Sequence, residues 1–283
     1  MITRSQIEDA YRAACGAEIE ALKPGNVHRF ANGHRMTIHD FLESARVTAP
    51  IVADPSLRPG QRILQAVRAT RETVHTNTNL GILLLCVPLA CAGEADSHNL
   101  RDAVRKILAA LDMEDTRTIY EAIRLASPGG LGSADEHDVR EEPQAGILEA
   151  MALAADRDLI ARQYTNGFSD VFETGLPALE AAREAGETGM WPTIYAYLAF
   201  LTRFEDSHIL RKQGQGVAEQ VKDEASAVLA AINREANRDL RLRTLLAFDA
   251  SLKDQDVNPG TSADLTVATC FADQLITMTS NEG

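Results

Sequence analysis

Strand patterns are missing from this 283-residue chain: apolar and polar side chains do not alternate, and no run of β-branched residues exceeds two. That excludes a β-rich fold. The four cysteines, Cys15, Cys86, Cys91 and Cys270, never stand in a CxxC spacing, so neither a zinc site nor a redox pair is indicated. They read as small core residues in a reducing, cytoplasmic setting. Long hydrophobic runs are also absent. The longest, LGILLLCVPLACA at 80–92, is too short to cross a bilayer and contains Pro88; it reads as a buried core helix, with no membrane partner. The opening text, MITRSQIEDAYRAACGAEIEAL, carries acids at amphipathic spacing, unlike a targeting segment. Basic residues are scarce, 28 against 41 acids, for a net charge of −13. Such a surface disfavours nucleic acid. A small anionic substrate would need a local basic pocket or a metal ion.

What the chain does have is helical periodicity. Val217, Val221, Ala225, Val228 and Ile232 recur at three- and four-residue steps, as do Ile147, Leu148, Met151, Ala155 and Leu159, each marking one face of a helix. The pattern predicts helices over 62–74, 80–92, 143–163, 216–235 and 262–279. With usual helix and loop lengths it predicts roughly ten to twelve helices in one all-α domain spanning the chain. Pro-Gly turns at KPGN (23–26), RPG (58–60), SPGGLG (127–132) and NPGT (258–261) punctuate it. The polar stretch 127–146 is long enough to suggest a functional or mobile loop.

Four polar motifs interrupt the apolar text. LKPGNVHRF (22–30) supplies Lys23, His28 and Arg29 around a turn, suited to a phosphate clamp or to a solvated loop. VHTNTNLGILLL (74–85) crowds Thr76, Asn77, Thr78 and Asn79 ahead of a buried helix, as caps or as the lining of a pocket. FEDSHILRKQG (204–214) gathers Asp206, His208, Arg211 and Lys212. In DVNPGTSADL (256–265), Thr261 or Ser262 can cap a helix with Asp264 in its first turn. Such a helix start can bind phosphate through free N–H groups, and an aspartate there can hold Mg²⁺.

Taken in order, KPGN, Asn-Thr-x-x-Gly, Asp-Ser-x-Ile-x-Arg and NPGTSADL resemble the triphosphoribosyl-dephospho-CoA synthases over about residues 18–275. The segment Pro259, Gly260, Ser262, Ala263, Asp264, Leu265 is the most specific match. The resemblance implies an all-α enzyme acting at ribose C1′ of ATP. Adenine leaves, the 2′-hydroxyl of dephospho-CoA attacks, and the product is the precursor of a lyase-type prosthetic group. An oxocarbenium-like centre calls for a carboxylate, the attacking hydroxyl for a base, and the triphosphate for cations.

On that reading Asp206 contacts metal or ribose as a solvated carboxylate, and His208 is the general base because an unperturbed imidazole titrates near neutrality. Asp206 and Asp264 hold Mg²⁺. Lys23, Arg29, Asn77, Thr78, Arg211 and Ser262 bind substrate or phosphate, and Asn77, Asp206, His208 and Asp264 converge on one pocket. Two stretches depart from the family pattern. Asn77-Thr78-Asn79-Leu80-Gly81 stands where the family carries Asn-Thr-His-Lys-Gly, and Arg35-Met36-Thr37 stands where it carries acid-Met-acid. These departures leave open a different activated ribose or acceptor, a hydrolase, and a nucleotide binder without chemistry.

Overall fold

The computed structural model describes residues 2–34, 36–95, 99–129 and 137–280. Arg35 and residues 130–136 of the polar stretch therefore lie outside the described residues. Fourteen α-helices are present among those described, more than the ten to twelve expected: α1 (Arg4–Glu20), α2 (Ile38–Val52), α3 (Pro59–Val74), α4 (Leu80–Glu94), α5 (Leu100–Ala109), α6 (Met113–Ala126), α7 (Ile147–Ala154), α8 (Leu159–Asn166), α9 (Leu176–Glu184), α10 (Trp191–Arg203), α11 (Ser207–Gln213), α12 (Gln215–Arg234), α13 (Arg238–Asp254) and α14 (Gly260–Ser280). A π-turn, Val171–Gly175, leads into α9. The helix expected over 143–163 is two, α7 and α8. Asp158 breaks it by accepting from the N–H groups of Ile160 (2.9 Å) and Ala161 (3.2 Å), which caps a new start.

Helix α4 is apolar on every side and is buried from Leu80 to Gly93 except at Gly81. A proline in such a helix leaves the carbonyl four residues earlier without its donor. Here that carbonyl is Leu84 O, and it accepts instead from the Tyr164 hydroxyl at 2.8 Å. Around α4 the first core gathers side chains of α1, α3, α5, α6 and α14. A second core joins α10, α12 and α13. Helix α14 packs against α1, α4 and α10, and Ala263 of its first turn belongs to the second core. Its start is therefore held between the two.

Two Pro-Gly turns meet at that start. Gly25 adopts φ +83° and donates its N–H to Asp249 Oδ1 at 2.8 Å. A side chain on Gly25 would strike Pro259, and Asn26 Nδ2 donates to Asn258 Oδ1 at 2.8 Å. KPGN and NPGT, more than two hundred residues apart in sequence, thus form one junction.

Asp206 completes it. The carboxylate is buried at 1% exposure. Oδ1 caps α11 by accepting from the N–H groups of His208 (2.9 Å) and Ile209 (3.2 Å). Oδ2 accepts from Ser262 N (2.7 Å) and Ser262 Oγ (2.8 Å) in the first turn of α14. Asp206 is therefore not the solvated carboxylate expected from its sequence; both oxygens are spent on tying two helix starts together. Replacing Asp206 by Ala removes a cap and leaves a buried serine unpaired, which should cost about 3 kcal/mol. Asp206→Asn should also destabilise, because its amide NH₂ would face an N–H donor. Melting temperatures of the two variants check this; wild-type values would refute the tie.

Candidate active site

The tie aims the first turns of α11 and α14 at a cavity of about 1170 Å³. His208, Arg211 and Lys212 line it from α11, Gly260, Thr261 and Asp264 from α14. Asn77, Thr78 and Asn79 line it from the entry to α4. Three of the four residues expected to converge, Asn77, His208 and Asp264, thus face one space. Asp206 lies behind it, turned into the protein.

Asp264 has no hydrogen bond or ion pair among the described residues. Its Oδ2 lies against the α-carbon of Gly81, where any side chain would collide with it and with Ile160. The missing Cβ lets α4 approach the carboxylate. Burial, then the charges of Glu18 and Asp206, push the Asp264 carboxyl well above the usual carboxylate range. His208 meets the opposite environment. Its ring rests against Gly260, which has no room for a Cβ. Burial, then Lys212 and Arg211, lower its pKa to about 3. The imidazole is therefore neutral near pH 7 and a weak base, contrary to the expectation from an unperturbed histidine.

A basic wall stands beside His208. Arg211 pairs with Asp158 at 3.1 Å, and Arg157 and Lys212, which also line the cavity, have no carboxylate partner among the described residues. Opposite in character, Tyr120, Ile123, Met151 and Leu153 give α6 and α7 an apolar face. Asn77 Oδ1 accepts from Leu80 N at 3.1 Å and caps α4, while Thr78 shares a 2.6 Å hydrogen bond with Ser44.

Four residues assigned from sequence do not line the cavity. Lys23 is fully buried, its ammonium donating to Glu18, to Asn26 Oδ1 (3.0 Å) and to Val27 O (2.8 Å). Three donors with three acceptors leave none for phosphate. Burial pushes Glu18 up and Lys23 down, and each partner's charge opposes that shift. Arg29 is exposed and pairs with Glu20 at 2.7 Å. Ser262 is committed to Asp206. Asp206 itself has no oxygen to offer a metal. Among the described residues, no group of three or more His, Cys, Asp or Glu could hold a metal ion. Arg157, Asp158 and Glu18 also line the cavity, though none of them stands in the four polar motifs. Asp158 alone left a trace in sequence, an aspartate ahead of the apolar LIA.

Comparisons with known proteins give the family. The chain is 33% identical to a protein of Azotobacter vinelandii over 263 residues, covering 89% of this chain and 85% of that one. That relative is named "Probable 2-(5''-triphosphoribosyl)-3'-dephosphocoenzyme-A synthase". A Stutzerimonas stutzeri protein of the same name is 28% identical with the same two coverages. A crystal structure from Archaeoglobus fulgidus, described as a triphosphoribosyl-dephospho-CoA synthase, superposes with a TM-score of 0.65 at 25% identity. It covers 82% of this chain and 96% of its own. The family match runs over residues 4–282 and takes in every helix described above; the chain belongs to the CitG family, ATP:dephospho-CoA triphosphoribosyl transferase.

Proposed function

We propose that the chain transfers the 5′-triphosphoribosyl group of ATP to the 2′-hydroxyl of 3′-dephospho-CoA and releases adenine. The observation that carries this reading is Asp264: an unpaired carboxylate with raised proton affinity, in a cavity that also presents a basic wall. A cavity of about 1170 Å³ exceeds the usual range for one drug-sized ligand and suits two nucleotides together. The residues lining it run from Glu18 to Asp264, so we read the chain as one functional unit. No helix among the described residues is long and apolar enough to cross a membrane, and the four free, buried cysteines suit a cytoplasmic setting.

In the step itself the C1′–N9 bond breaks and its electron pair leaves on adenine, which takes up a proton from solvent. The C1′–O2′ bond forms, and the acceptor hydroxyl loses its proton. Asp264 is the group we assign to C1′. In its ionised form its charge opposes the positive character that develops there, and its raised pKa makes that form a competent acceptor for the hydroxyl proton. His208, neutral and held against Gly260, serves as a hydrogen-bonding group rather than a base. Arg157, Arg211 and Lys212 hold the phosphate chain. Of the two aspartates assigned to Mg²⁺, Asp264 is the one within the cavity and would hold the ion, which would supply positive charge against the phosphates. The proton and bond changes above belong to the protein and the two substrates.

Two measurements test the reading. Incubated with Mg-ATP, the protein should release adenine only when dephospho-CoA is present. Release without acceptor would identify a hydrolase, and no release under either condition would remove ATP as the donor. Asp264→Asn keeps the shape and removes the proton acceptor, so it should lower kcat by about a hundredfold or more. Its melting temperature should not fall, since the carboxylate makes no hydrogen bond that the amide would lose. A variant that turns over at the wild-type rate would remove Asp264 from the chemistry.

A further inference from the structure

Asn79 is only 4% exposed, and its Nδ2 has no hydrogen-bond partner among the described residues. Its Oδ1 has none among the described residues either. A buried amide left unpaired costs free energy in the resting protein, so its persistence at this place calls for an explanation. The place is informative. Asn79 is the N-cap residue of α4 but makes no capping bond; Asn77 does that instead, at Leu80 N. Asn79 lines both the main cavity and a side chamber of about 10 Å³, the latter together with Tyr11, Cys15, Glu18 and Ser44. Two residues on is Gly81, against which the Asp264 carboxylate rests. An acceptor-only carboxylate and an amide that both donates and accepts thus line one cavity, and a half-turn about the last side-chain torsion exchanges the amide's two ends.

That pairing suits hydroxyls. A phosphate at this point would meet the Asp264 charge, whereas a sugar hydroxyl donates to a carboxylate and accepts from an amide. The cationic groups stand elsewhere, at Arg157, Arg211 and Lys212. We infer that Asn79 recognises a ribose hydroxyl of the nucleotide donor and so fixes C1′ opposite Asp264. This assignment rests on the proposed function for its substrate.

The test combines substrate and side-chain deletions. With dephospho-CoA present, initial rates of adenine release are measured with ATP, 2′-deoxy-ATP and 3′-deoxy-ATP, for wild type, Asn79→Ala and the size-matched Asn79→Leu. In wild type, one deoxy analogue should lower kcat/KM by about tenfold or more, the value of a buried hydrogen bond with its partner left unpaired. In both variants the same analogue should cost less than about twofold relative to ATP, because the hydroxyl's partner is already gone. Asn79→Leu should melt no lower than wild type. Equal penalties for the analogue in wild type and variants, or no penalty in wild type, would overturn the assignment. The same comparison made on ligand-induced melting shifts needs no turnover. A wild type that releases no adenine from ATP therefore counts against the proposed reaction, and the shifts still decide for or against Asn79.

Discussion

One buried carboxylate sets the geometry on which the cavity depends. Asp206 accepts four hydrogen bonds, two from the first turn of α11 and two from Ser262 of α14. Helix starts expose N–H groups that need acceptors, and here one side chain serves two starts at once. Burial pushes the Asp206 carboxyl up, and the same hydrogen bonds pull it back down. Because both starts are pinned to one point, His208 and Asp264, 56 positions apart in sequence, are carried to the same space.

Two glycines make the approach close enough to matter. Gly81 leaves room for the Asp264 carboxylate, and Gly260 leaves room for the His208 ring. The environments then drive the two groups apart in proton affinity. Burial, with Glu18 and Asp206 nearby, makes Asp264 hold its proton harder; burial, with Lys212 and Arg211 nearby, makes His208 give its proton up. Pairs of titratable groups separated in this way mark acid–base sites. The unpaired amide of Asn79 adds a second local cost, and the apolar core built on α4 offsets both. Local rules broken at one place and compensated elsewhere are expected where function constrains sequence.

Much of this was legible in the residues themselves. The apolar text 80–92 reads as a buried helix because it has no polar face, and α4 has none. Pro-Gly at 24–25 and 259–260 reads as a turn because its backbone cannot continue a helix. The family-like order of motifs led to the transferase reading and to Asp264, whose partnerless state could not be foreseen. What was not legible depends on neighbours distant in sequence. Lys23 looked free for phosphate until Glu18, Asn26 and the Val27 carbonyl filled its three donors. His208 looked like a base until burial and two cations lowered its pKa to about 3. Asp206 looked solvated because Ser262, its partner, is 56 residues away.

The central claim is that Asp264 is a carboxylate held in an environment that resists its ionisation. The direct measurement is the stability of wild type and Asp264→Asn as a function of pH. A carboxyl whose pKa is raised on folding is protonated alike in both states below its unfolded value. As pH rises above that value the unfolded chain releases its proton first, and the folded state loses stability until its own pKa is passed. Asparagine does not titrate. The account therefore predicts similar melting temperatures near pH 3.5 and an advantage for Asp264→Asn that grows from about pH 4 upward. A wild type that gains stability over the variant as pH rises would mean that Asp264 ionises readily and is paired, and would contradict the account.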